Sequence, residues 1–293
     1  MTKGARVRSW IKTMGLAICL ALGAVPPLAA QQVPVVEAAR AALPERIREA
    51  GVLRIATSLQ WPPFGYKNER GEPEGIDLDL LHLIAAKLGL RPDVTDVRFP
   101  SIVPGIASGR FDVGANQMAR TAERERVVQF VVYFRSEMGL LVRRGTTGID
   151  VNRLCGRTLA LTQGSSQVAI AERISRQCVQ DGKPEISFLF FPNSADTYLA
   201  VSNGRGDGFL TGAAVGTYIA QHNERLQMTS VFLPDYASIA GIVIDRTNDQ
   251  LATAIRLALE SAIGDGSYMR ILSKYHATEG ALTIAEVRNP PER

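Results

Sequence analysis

From residue 52 onward, short unbroken apolar runs alternate with longer stretches in which apolar residues recur every three or four positions. The run VLRIATS (52–58) predicts a buried strand. In DLDLLHLIAAKLG (77–89), Leu80, Leu81, Ile84 and Leu88 share one helical face, with Asp77 as cap and Gly89 as stop. A short strand near 94–97, a helix ending at SGR (108–110) and the strand FDVGAN (111–116) follow. The same order then returns. RTLALTQ (157–163) predicts a strand, 167–177 a helix, ISFLFF (186–191) a strand, a helix ends at NGR (203–205), and GDGFLTG (206–212) closes the unit. Both copies carry Gly-Arg-x-Asp between their second helix and third strand.

Strands alternating with helices predict parallel sheets covered on both faces, and two copies predict two lobes. SIAGIVID (238–245) is a strand able to return to the first lobe, and DQLATAIRLALESAI (249–263) a helix that completes it. Crossings near 140–144 and 238–244 would form a two-strand hinge. The expected organisation is a leader over 1–30, lobe one from 31–143 with 240–293, and lobe two inserted at 144–239. Ligands of such sheets bind beyond the carboxyl ends of the strands, which here are 57–61 and 116–124 in one lobe, 163–167 and 210–212 in the other.

Composition changes this picture at the start of the chain. Residues 1–30 hold Lys3, Arg6, Arg8 and Lys12, an apolar run over 14–25, then PPLAA, the order of an export signal cleaved after Ala30. Those four basic residues account for the whole formal charge of +4, so the rest balances and nucleic-acid binding is not expected. Removing the signal leaves Cys155 and Cys178, an even pair in an oxidising compartment, which predicts a disulfide. His82, His222 and His276 are scattered, so neither a metal nor another cofactor is expected.

The candidate chemistry centres on NQMARTAERERVVQF (116–130). Thr121 reads as an N-cap with Glu123 and Glu125 in the first turn, where acids are favoured; Arg124 shares that turn against the dipole. It is either a solvated surface charge or half of an anion site built with free backbone N–H groups. Facing it across the expected cleft, TQGSSQ (162–167) is a strand-to-helix turn with Gly164 for close approach and two hydroxyls at the helix mouth. No lysine follows at phosphate-loop spacing, so a small carboxylate suits it better. Trp61 and Phe99 fall near the cleft, and the prolines of WPPF (61–64) predict an exposed turn presenting both aromatics.

GVLRIATSLQWPPFGY, GEPEGIDLDLLHLIAAKLG, IASGRFDVGANQMARTAERERVVQF, LTQGSSQ and DGSYMRILSKY together resemble the family 3 extracellular solute-binding proteins, over nearly all of 42–276. The resemblance implies a periplasmic two-lobed clamp, monomeric, that closes on an amino acid or related small carboxylate and delivers it to an ABC permease. It implies that Arg124 binds the ligand carboxylate, assisted by Ser165, Ser166 and Gln167, with Trp61 and Phe99 sandwiching the side chain. Gln117 and Ala119 stand where the family has small polar residues, Gly212 where it commonly has an aspartate for the α-ammonium, and Ser58 where binders of basic amino acids have an acid. Neutral or acidic amino acids, or carboxylates without an amine, are therefore expected over lysine and arginine. The alternatives are a cyclohexadienyl dehydratase-like enzyme, which needs an acid in the cleft, and a free sensory or chemotaxis receptor.

Overall fold

Two short helices, α1 (Glu37–Ala41) and α2 (Glu45–Ala50), lead into strand β1 (Val52–Thr57) of the computed structural model, which describes residues 1–2 and 33–290, with backbone alone at 234–237. The export signal expected over 1–30 lies outside these described residues, save its first two. A small antiparallel sheet, β2 (Gln60–Trp61), β3 (Gly65–Lys67) and β4 (Pro73–Glu74), precedes helix α3 (Ile76–Lys87). With β5 (Arg91–Asp96), α4 (Ile102–Ala107) and β6 (Val113–Gly114), the first unit is complete, its parallel strands centred on β1. The one-turn helix α5 (Ala122–Glu125) and the long strand β7 (Val128–Arg143) follow.

The second unit repeats the first: β8 (Thr158–Thr162), α6 (Ser166–Gln180), β9 (Ser187–Phe191), α7 (Ser194–Ser202) and β10 (Gly208–Gly212), parallel and centred on β8. Helix α8 (Ala213–His222) and β11 (Leu226–Met228) lead to the second long strand, β12 (Leu233–Asp245). Helices α9 (Asp249–Gly264), α10 (Ser267–Lys274) and α11 (Ile284–Arg288) close the chain. The fold is a two-lobed α/β clamp. Its sheet runs β5-β1-β6-β12-β7-β10-β8-β9, a parallel unit at each end and antiparallel β12 and β7 between.

The repeated Gly-Arg-x-Asp has the same physical task twice. The Asp112 N–H donates to the Arg54 carbonyl (2.9 Å), and the Asp112 carboxylate accepts the Arg54 N–H in return (3.0 Å). Asp207 makes the same reciprocal pair with Thr158, at 2.7 and 2.8 Å. Each aspartate thus fastens the entry of its third strand to the first strand, using backbone groups that no ladder partner serves there. Burial alone would raise the Asp112 carboxyl; hydrogen bonds from Arg54 and Arg46 outweigh it and hold it below the usual range.

The structure departs from the sequence reading at several points. Helix α3 begins at Ile76 with Gly75 at the cap position, so Asp77 is not a cap; it lies fully buried in the first turn. WPPF is not an exposed turn presenting both rings. Phe64 is fully buried, edge-on to Phe134 at 5.1 Å, because the Phe64 N–H returns to the Trp61 carbonyl and folds the pair of prolines back onto the core. The crossings are also displaced. Leu140 and Leu141 pair only with lobe-two strands and Ile239–Asp245 with the lobe-one part of β7, so the exchange lies at 136–138 and 233–238, a few residues earlier than expected in each strand.

Cys155 and Cys178 are joined, with Cα atoms 5.6 Å apart. The bridge ties the approach to β8 to the last turn of α6. Closing that loop stabilises lobe two by about 3 kcal/mol in the chain-entropy account.

Candidate functional site

Thr121 caps α5, its Oγ1 accepting the Arg124 N–H at 3.3 Å, and this fixes Arg124 in the first helical turn. The guanidinium leaves the turn sideways. Its Nη1 donates to the Ala119 carbonyl (2.7 Å) and its Nη2 crosses to the Gly164 carbonyl of lobe two (2.9 Å). Its Cζ lies 5.5 Å from the centroid of the Phe99 ring. Burial pushes the pKa of this group down to about 10, with Glu123 working against the shift, so it stays charged at neutral pH. Among the described residues, carbonyls rather than carboxylates take its hydrogen bonds. A half-buried guanidinium served by neutral oxygens retains a preference for an anion.

The facing loop comes from lobe two. Gly164 has φ +73°, which turns its carbonyl toward Arg124. Ser165 occupies the cap position of α6 without making a side-chain cap bond, and its Oγ is buried without a hydrogen-bond partner among the described residues. Ser166 opens the helix and Gln167 is buried in its first turn. On the lobe-one side, Trp61 and Phe99 stack at 6.4 Å and 18°, and Phe209 of β10 meets the indole edge-on at 6.3 Å.

Gln117 joins these parts. Its carboxamide Oε1 accepts the Trp61 indole N–H at 2.8 Å. Its backbone stands at φ +45°, a left-handed conformation that costs a non-glycine residue about 1–2 kcal/mol. The Gln117 N–H donates to Asp77 Oδ2 at 2.8 Å, and the Tyr133 hydroxyl donates to Asp77 Oδ1. Burial pushes the Asp77 carboxyl up to about 7, while those two donors pull it back. Burial beside Asp77 also pushes the Tyr133 phenol well up.

Nine of the ten residues singled out from the sequence surround one chamber: Trp61, Phe99, Gln117, Ala119 and Arg124 from one lobe, Ser165, Ser166, Gln167 and Gly212 from the other. Ser58 does not line it. Its side chain is buried nearby, and its carbonyl accepts from Asn116 Nδ2 at 2.8 Å, so it supports a wall. Gly212 sits opposite Met138 on β7, where an added Cβ would meet Ser136 Oγ at 2.5 Å and Gln117 Nε2 at 3.3 Å. A side chain there would need the Ser136 hydroxyl to turn away, and glycine leaves it in place.

Ser136, Met138 and Ser238 also line the chamber and were not foreseen. They lie on the crossing strands, and Ser136 inside the apolar run FVVYFRSEMGLLV was the only signal available. The chamber is narrow, about 20 Å³, room for little more than a water or two. Past Arg124 it gives onto an open cleft of about 650 Å³ bounded by Phe99, Thr121, Gly164 and Glu172. Among the described lining residues of the chamber none is acidic, and Arg124 is the single charge.

Comparison with known proteins places the chain in a family. Residues 53–278 match the family of bacterial extracellular solute-binding proteins, family 3. The arginine-binding protein ArgT of Corynebacterium glutamicum is 27% identical over 86% of this chain and 83% of its own. The ABC transporter glutamine-binding protein GlnH of Bacillus subtilis is 30% identical over 72% of this chain and 76% of its own. A cyclohexadienyl dehydratase of Pseudomonas aeruginosa is 26% identical over a shorter stretch, 67% of this chain and 68% of its own. Among solved structures, an ancestral arginine-binding protein bound to arginine superposes with a TM-score of 0.68 at 30% identity, over 77% of this chain and 98% of that one. With the family match spanning both lobes and the chamber between them, this chain belongs to the bacterial extracellular solute-binding proteins of family 3.

Proposed function

We propose that this protein is the periplasmic receptor of an ABC importer, a monomer that takes the carboxylate of a small solute onto Arg124 and hands the solute to a membrane permease. One observation carries the reading: a half-buried guanidinium, bonded to carbonyls of both lobes, beside the Ser165 hydroxyl, which has no partner among the described residues. A carboxylate entering there satisfies the guanidinium fork and the hydroxyl together. The roles follow residue by residue. Arg124, Ser165 and Ser166 hold the anion, Trp61 and Phe99 flank the apolar part, and Gln117, Ala119, Gln167 and Gly212 complete the walls.

The relatives include receptors named for arginine and for glutamine. Here the described chamber walls offer no acid to a cationic group, and Glu123 and Glu172 lie only in the outer cleft, so the solute class proposed is a neutral or acidic amino acid, or a carboxylate without an amine. An ammonium buried without a partner costs several kcal/mol, and cation–π contact with Trp61 returns only about 0.5–2 kcal/mol. Dehydratase chemistry needs an acid at the reacting bond, and the same walls speak against it. A thermal-shift panel of amino acids and small carboxylates tests the reading, since a ligand at a hundredfold excess over its Kd stabilises by about 2.7 kcal/mol. A panel in which only lysine or arginine stabilises the protein would overturn the solute class; turnover of prephenate or arogenate would overturn the receptor reading.

A further inference from the structure

Asp77 stands behind the chamber wall and touches nothing inside it. It is fully buried, and no described lysine or arginine lies within ion-pairing distance of it. Its carboxylate faces two donors: the Tyr133 hydroxyl from β7 and the main-chain N–H of Gln117 from the loop after β6. One bond further out, the Tyr268 hydroxyl of α10 donates to the Tyr133 carbonyl (2.7 Å). The other acid of this helical turn, Asp79, looks the opposite way, to Lys274 and the Tyr275 hydroxyl. An ionisable side chain kept in such a place answers to some local demand, and the demand here is geometric. Gln117 is in a left-handed conformation that its Cβ disfavours, and its carboxamide reaches Trp61 on one side and Gly212 of the other lobe on the other.

We propose that Asp77 is a positioning residue of the solute site: by accepting the Gln117 N–H it holds that backbone left-handed and so fixes the carboxamide between the Trp61 indole and lobe two. The inference rests on the chamber being the solute site, as proposed above. The hold depends on charge. A carboxylate accepts from both donors at full strength. A protonated Asp77 turns one oxygen into a donor toward the Tyr133 oxygen and weakens its grip on the Gln117 N–H. The Trp61 environment therefore carries a proton-linked signal from a group it does not touch.

The test needs no solute, which separates it from the receptor reading. Emission of the full chain is followed from about pH 5 to about pH 9, a window chosen to bracket the Asp77 transition and stay below phenol titration. The Trp61 component is the part of the emission lost in Trp61→Phe. The expected result is one transition near pH 7, absent in Asp77→Asn, whose amide cannot titrate. In Tyr133→Phe, which removes a donor to the ionised form, the transition should move to higher pH. This second variant keeps the idea testable if Asp77→Asn fails to fold. A flat wild-type profile, a transition that survives unchanged in Asp77→Asn, or an unmoved midpoint in Tyr133→Phe would each overturn the proposal.

Discussion

A single arginine carries most of what this site can do. Arg124→Ala should weaken binding of any solute found in the panel by at least about 100-fold, the loss of a bidentate charge-assisted contact, and Arg124→Lys should not restore it because an ammonium lacks the planar fork. Calorimetry checks both, and unchanged affinity in Arg124→Ala would refute the assignment. Asp77 makes a second prediction at this scale. Burial raises its folded pKa to about 7 from an ordinary 3.8, so its contribution to stability is complete below about pH 4 and is lost as pH rises through about 7. Asp77→Asn removes that loss. The difference in unfolding free energy between variant and wild type, read by denaturant titration at each pH, should therefore grow in the variant's favour from about pH 4 to about pH 7, reaching on the order of 1–4 kcal/mol, and then level off. Arg124 stood out in the sequence because its clash with a helix N-terminus is local. Asp77 was misread as a cap because its partners, Gln117 and Tyr133, are 40 and 56 residues away, and no local pattern announces them.

At the scale of elements, the repeated β-α-β-α-β order was readable from periodicity alone, and so were both helix mouths that flank the chamber. Strand pairing puts the crossings a few residues earlier than expected: β7 and β12 run through them as continuous strands of 16 and 13 residues, and Pro234 and Gly139 beside the exchange interrupt neither strand. Proline was overread at WPPF, where the turn folds back into the core and buries Phe64. The second unit has a staple the first lacks, which gives a test of its own. Cys155→Ser with Cys178→Ser should lower stability by about 3 kcal/mol, on the chain-entropy estimate, and the loss should appear first in lobe two. Hydrogen exchange reports it: amides of β8 and α6 should lose protection before those of β1 and α3, and equal losses in both lobes would contradict the assignment.

For the molecule as a whole, the chamber is too small for an amino acid as it stands, and its two walls belong to different lobes. On the receptor reading proposed above, entry has the lobes part about the crossings at 136–138 and 233–238, and Arg124 releases the Gly164 carbonyl as they do. Starting from an open solute-free form, small-angle scattering should give a smaller radius of gyration with a stabilising solute than without, and an identical radius at saturation would mean a rigid pocket. The strand order has a consequence of another kind. β12 is made late in synthesis yet lies between β6 and β7 in the middle of the sheet. The strands β8, β9 and β10 of the second unit, by contrast, come from one unbroken stretch of chain. Lobe one stays without its central strand until residue 245 has been made, so its sheet closes only late in synthesis.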